Sequence, residues 1–114
     1  MASKNTFRLM TKRGDVYWVQ LDPTVGSEIN KTRPCVVLSV NPINAARRSV
    51  VVVPLTSRGP ERLPLVVELD SAQSFVVCDQ IRAVSKTRLG RQQGTLSNED
   101  LLKLETNLRT VLGL

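Results

Sequence analysis

The chain has 114 residues, 41% of them hydrophobic, which suits one domain that builds its core without metal or disulfide help. Sixteen Lys and Arg against ten Asp and Glu give a net charge of +6, and the chain has no histidine. That composition argues against a zinc site, a His-activated thiol and paired-imidazole catalysis, and suits a polyanionic partner, either nucleic acid or an acidic protein segment.

Residues 1–12, MASKNTFRLMTK, are polar and basic without a long apolar segment. They read as a partly flexible N-terminal extension to a single domain over 13–114, not as a signal peptide. A strand is expected over 16–21, after Gly14 and before the turn signal Asp22-Pro23. A polar loop follows over 22–32, carrying Pro23, Gly26, Ser27, Glu28 and Lys31. Its Asn30-Lys31-Thr32 triplet matches a glycosylation acceptor, a coincidence in a chain without an export signal.

Further strands are expected over 35–40, ending at Asn41-Pro42, and over 49–55, where Pro54 marks an edge or a bulge. Residues 44–48 read as a turn. Segments 65–69 and 74–78 are also short and apolar, and 81–85 and 94–96 add two brief pairings. Regular short strands with turn punctuation predict a small barrel or sandwich. The C-terminus changes period: Ser97 and Asp100 resemble a capping box, and Leu101, Leu104, Leu108 and Val111 form one helical stripe, with Leu102 and Leu112 alongside. Gly113 fits a helix stop.

The longest apolar run, 50–55, is far too short to span a membrane, so a cytoplasmic domain with no membrane partner is expected. Cys35 and Cys78 sit inside apolar runs and read as reduced, buried small hydrophobes. The scattered carboxylates form no two-metal cluster, and no phosphate-cradling glycine motif occurs. Neither metal nor cofactor is expected.

Three polar groups stand at strand ends: Gly26-Ser27-Glu28 through Arg33, Thr56-Ser57-Arg58, and Asp79-Gln80 with Arg82. Each taken singly reads as a turn. Jointly they suit phosphate chemistry. Arg33 and Arg58 offer forked donors to a phosphodiester, and Thr56 offers a hydroxyl to a non-bridging oxygen. RNA cleavage through its own 2′-hydroxyl needs no metal. It needs that hydroxyl deprotonated, the leaving oxygen protonated and charge on phosphorus offset. Arginine is a poor base, so Arg33 is assigned electrostatic stabilisation and the base stays open among the remaining groups. A second basic cluster, Arg82, Lys86, Arg88 and Arg91, reads equally as a nucleic-acid track or a solvated face.

The segments RGDVYWVQLDPTVGSE, RPCVVLS, VVVVPLTS and VVCDQIRAV, in this order and spacing, resemble the MazF/PemK/Kid family of toxin endoribonucleases. The resemblance runs from Arg13 to the C-terminal helix. It implies a mainly β fold, a small SH3-like barrel of the CcdB/MazF type with a C-terminal amphipathic helix, acting as a homodimer. It implies metal-independent, sequence-specific cleavage of single-stranded RNA, giving 2′,3′-cyclic phosphate and 5′-hydroxyl ends and so halting translation. A cognate antitoxin with a flexible acidic tail is the implied partner, operator DNA being reached only through it. By motif, Arg33 and Thr56 match the catalytic pair, with Glu28 and Asp79 as catalytic or supporting carboxylates. Ser27, Lys31, Ser57, Arg58, Gln80, Arg82 and Arg88 are expected at the RNA. One branch of the family uses a histidine in the first loop, which this chain lacks. The alternative is a CcdB-like toxin acting on a protein such as DNA gyrase through its C-terminal helix. A third reading is an interaction module with a decayed site.

Overall fold

Apolar runs in three consecutive strands set the architecture, because each of these strands buries residues on both faces. A computed structural model of the chain describes residues 11–21, 32–57, 66–69 and 74–114. Strands β1 (Asp15–Gln20), β2 (Thr32–Val37) and β3 (Ser49–Thr56) pair antiparallel in sequence order. One face buries Val16, Val36, Val53 and Leu55; the other buries Tyr17, Val19, Cys35, Val37, Val50 and Val52. Strands buried on both faces read as unbroken apolar runs rather than alternating ones, which is the VVVV pattern here.

Among the described residues four more strands join the sheet: β4 (Val66–Leu69), β5 (Ser74–Val77), β6 (Arg82–Ser85) and β7 (Leu89–Thr95). The order is β4-β5-β3-β2-β1-β7, with β6 also paired to β3. The mainly β fold with a C-terminal helix is as expected, but the sheet is open: no ladder joins its two ends among the described residues. Pro54 explains how β3 serves two partners. β6 pairs with β3 up to Val52, and β5 takes over from Leu55. Pro54 is fully buried at that change of partner, where a missing N–H is tolerated, rather than at an outer edge.

Two expectations are corrected. Residues 41–46 form a short helix, α1 (Asn41–Ala46), where a turn was expected at 44–48. Pro42 lies at its first turn, a position that needs no N–H donor. The buried Asn44 amide donates to the Ser39 carbonyl at 2.7 Å, and Lys86 Nζ donates to the Asn44 carbonyl. The second is β7, which runs seven residues instead of the expected three at 94–96. Its LGRQQGT sequence buries only Leu89, so it carries no apolar signal, yet it pairs with β1 through two register shifts.

Helix α2 (Asn98–Leu112) starts at Ser97, whose hydroxyl accepts from the Asp100 N–H at 3.1 Å. It stops at Gly113 in the left-handed region, with the Leu114 N–H returning to the Arg109 carbonyl at 2.9 Å. Leu104 and Leu108 are buried against the first face of the sheet, with Leu101 and Val111 partly buried beside them. Leu102 and Leu112 remain exposed. The Arg13-Gly14-Asp15 tripeptide opens β1 as a turn. Gly14 takes a positive φ of 91°, and the Asp15 carboxylate accepts from the Lys12 N–H and the Thr95 hydroxyl.

Candidate active site

Strand register delivers Arg33. It is the second residue of β2 and lies opposite Val19 of β1, while on the other edge Cys35 lies opposite Pro54 of β3. The antiparallel pairing puts the start of β2, where Arg33 lies, toward the end of β3, whose last residue is Thr56. Both line one cavity of about 250 Å³ together with Trp18, Ser57, Ser74 and Gln93. Arg33 is exposed at its rim and Thr56 half-buried. A guanidinium and the hydroxyl residues Thr32, Thr56, Ser57 and Ser74 on an open cavity make a donor set matched to a phosphate diester, with no carboxylate among the described lining residues.

Beneath Arg33 the strand is held by an inert thiol. Cys35 Sγ donates to the Arg33 carbonyl at 3.6 Å. Burial pushes this thiol up to about 12, partly offset by the nearby Arg82 guanidinium, so it stays protonated and non-nucleophilic. Both cysteines are free and buried, as expected, and the Asn107 amide donates to Cys78 Sγ at 3.0 Å.

The other expected site residues that the structure describes fall elsewhere. Arg82 and Arg88 do not line the cavity; their guanidinium groups donate to the backbone carbonyls of Leu21 and Gln20, at 3.2 and 3.1 Å. Asp79 is exposed in the turn after β5, where the Gln80 N–H reaches back to the Val77 carbonyl at 3.0 Å, and neither side chain lines the cavity. Ser27, Glu28, Lys31 and Arg58 lie outside the described residues. Among the described residues no three Cys, Asp or Glu side chains gather as a metal site, and no helix is long and apolar enough to cross a membrane.

Sequence reasoning missed Trp18, Ser74 and Gln93. Trp18 sits within an unbroken apolar run, so nothing marks it as the strand residue that emerges, 37% exposed, into the cavity. Gln93 belongs to the polar strand β7, whose pairing the sequence does not reveal.

Comparison with known proteins shows the fold and the family of the chain. Endoribonuclease MazF9 of Mycobacterium tuberculosis is 35% identical over an alignment covering 92% of this chain and 98% of that protein. A mycobacterial endoribonuclease in complex with its cognate antitoxin superposes with a TM-score of 0.77 at 29% identity, covering 91% of this chain and 96% of that one. MazF from Deinococcus radiodurans superposes with a TM-score of 0.81 at 25% identity, covering 91% and 97%. Residues 12–112 match the family described as PemK-like, MazF-like toxin of type II toxin-antitoxin system, and the chain belongs to that family.

Proposed function

We propose that this endoribonuclease toxin cuts single-stranded messenger RNA at short sequence motifs, without metal, and so stops translation in the cytoplasm. The observation that carries the reading is the single cavity shared by Arg33 and Thr56, the pair picked out by the motif resemblance. In this mechanism the RNA 2′-oxygen attacks phosphorus and the bond to the 5′-oxygen breaks. The products are a 2′,3′-cyclic phosphate and a 5′-hydroxyl. One proton leaves the 2′-hydroxyl and another is delivered to the departing oxygen.

Arg33 holds the non-bridging oxygens and offsets the charge that builds on phosphorus. Thr56 and Ser57 supply hydroxyl donors beside it. Glu28 of the first loop is the carboxylate assigned to support proton transfer, since Asp79 does not line the cavity, while Ser27, Lys31, Arg58 and Gln80 extend the RNA surface. A cognate antitoxin is the protein partner, supported by the mycobacterial relative seen with its own antitoxin. An acidic antitoxin tail suits a toxin of net charge +6. The active form is a homodimer, consistent with the exposed Leu112 and Leu114 at the end of α2.

Incubating the purified chain with a long RNA in EDTA, and testing the new 3′ ends for cyclic phosphate, examines the whole reading. Cuts at a recurring motif with cyclic ends are expected. An intact RNA after prolonged incubation overturns it.

A further inference from the structure

Two arginines that the sequence pattern assigns to RNA direct their guanidinium groups onto the protein itself. Arg82 Nη1 donates to the Leu21 carbonyl at 3.2 Å, and Arg88 Nη1 donates to the Gln20 carbonyl at 3.1 Å. These are successive carbonyls, at the last residue of β1 and the one after it. Arg82 stands on β6, opposite Val52 of β3, and Arg88 ends the 3-10 turn leading into β7.

The sheet order makes the first contact informative. β3 and β2 lie between β6 and β1, so in a flat sheet a side chain on β6 has no reach to β1. The contact exists because the sheet curls around its second apolar face, where Val84 of β6 belongs to the same buried cluster as Tyr17, Val19 and Leu21. No backbone ladder closes that curl among the described residues. At this end Arg82 bridges it directly, while Arg88, next to the Leu89 that pairs with Val19, ties the start of β7 to the same end of β1. The closure lies at the strand start that matters most: Gln20 pairs with Thr32 and Val19 with Arg33, and Cys35 close to Arg82 holds the Arg33 carbonyl.

We infer that Arg82 and Arg88 are positioning residues, which close the curled sheet onto the end of β1, hold Arg33 in register with Thr56, and govern the cleavage rate without touching RNA. This rests on the cleavage site proposed above. It gives the two residues a different task from phosphate contact, and the two tasks have different signatures. A residue that neutralises a phosphate releases a counterion, and its loss flattens the salt dependence of single-strand binding by about 0.7 in log–log slope. A positioning residue leaves that slope alone and changes the rate.

The test compares wild type with Arg82→Met, Arg88→Met, Arg82→Lys and Arg33→Ala on one RNA oligonucleotide containing the mapped cut site. Single-turnover cleavage is measured, together with equilibrium binding between low and moderate salt to an analogue lacking the attacking hydroxyl. Both Met variants are expected to cleave roughly tenfold to a hundredfold more slowly, the scale of a small misplacement of a reacting group. Their salt slope should match wild type, whereas Arg33→Ala should lose about 0.7. Arg82→Lys keeps a donor for the Leu21 carbonyl and should recover part of the rate lost in Arg82→Met. A merely stabilising role would lower the melting temperature while leaving the rate per folded molecule unchanged, and would overturn the inference. So would a flattened salt slope in either Met variant. If Arg82→Met does not fold, Arg88→Met and Arg82→Lys carry the same comparison. Absence of cleavage by wild type sinks the ribonuclease reading instead, and the binding slopes still decide whether these arginines contact RNA.

Discussion

Arg33 near the start of β2 and Thr56 at the end of β3 line the same cavity, brought side by side by the register that pairs Cys35 with Pro54. Neighbouring ends of antiparallel strands are a rigid way to fix two donors, because each sits in a ladder with its other neighbour, Arg33 opposite Val19 and Thr56 opposite Phe75. The placement owes nothing to closeness in sequence: α1 and most of β3 lie between the two residues.

Arg33→Ala and Thr56→Ala should each slow RNA cleavage by about 10²–10³, the usual consequence of removing a donor aimed at developing charge. Arg33 is exposed, so its replacement should change folding stability by no more than about 0.5 kcal/mol. Thr56→Ser keeps the hydroxyl and should retain most activity. Single-turnover cleavage alongside a thermal melt checks all three. Equal cleavage by wild type and Arg33→Ala would remove Arg33 from the site.

Trp18 is the only tryptophan in the chain and opens into the cavity. Its fluorescence should therefore shift when an uncleavable single-stranded oligonucleotide binds. A base stacked on it contributes about 1–3 kcal/mol, so Trp18→Ala should weaken binding by that amount. Unchanged emission at saturating RNA would place the bound strand elsewhere.

Cys35 should make the fold sensitive to alkali. Burial holds its thiol up near about 12 against an ordinary 9.0. Between those values the folded chain keeps a proton that the unfolded chain has lost. The stability from this group is therefore complete below 9.0 and drains as pH rises, with a slope approaching about 1.4 kcal/mol per pH unit. Tyr17, also pushed up mainly by burial, adds the same sign above its ordinary 10.0. Urea titrations across this range on wild type and Cys35→Ala measure the effect; the variant should show a flatter profile. Iodoacetamide at mild pH should leave both cysteines of the native chain unmodified.

Two local substitutions test the frame around α2. Gly14→Ala forces a side chain onto a φ of 91° and should destabilise by about 1–2 kcal/mol. Space is not the cause, since the added carbon would lie an ordinary 3.6 Å from Leu101. Ser97→Ala removes the helix cap and should cost about 1 kcal/mol. Denaturant melts resolve changes of this size, and an unchanged midpoint in either variant contradicts the assigned role.

The proposed homodimer predicts a change of mass on altering the end of α2. Leu112 and Leu114 are 54% and 88% exposed, beside a groove of about 300 Å³ lined also by Leu38, Val51, Ile81 and Leu108. Sedimentation equilibrium should give a dimer for wild type and a monomer for Leu112→Glu. A wild-type monomer at all concentrations would refute the assignment.

Much of the fold was legible where residues carry their own local signal. Gly14, Ser97 and Gly113 punctuate elements through backbone geometry or a hydroxyl one turn away, and the β-branched runs mark buried strands whatever their partners. Strand β7 was mostly illegible, because a polar edge strand is stabilised by its ladder to β1 and not by burial of its own side chains. Helix α1 was missed for a related reason. Its one buried residue, Asn44, is held by Ser39 and by Lys86, a residue far along the chain.

The site divides in the same way. Strand ends and residue types placed Arg33 and Thr56 among several candidates for phosphate chemistry, and the motif resemblance to the family picked them out as a pair. Only the tertiary structure decided which polar residues share a cavity with that pair. It brought in Trp18, Ser74 and Gln93 through strand pairing. It turned Arg82 and Arg88 toward the carbonyls of β1 through the curl of the sheet. The physical reason is range. Turns, caps and apolar runs are dictated by neighbours within a few residues, whereas sheet curl and register depend on partners that only the folded chain brings together.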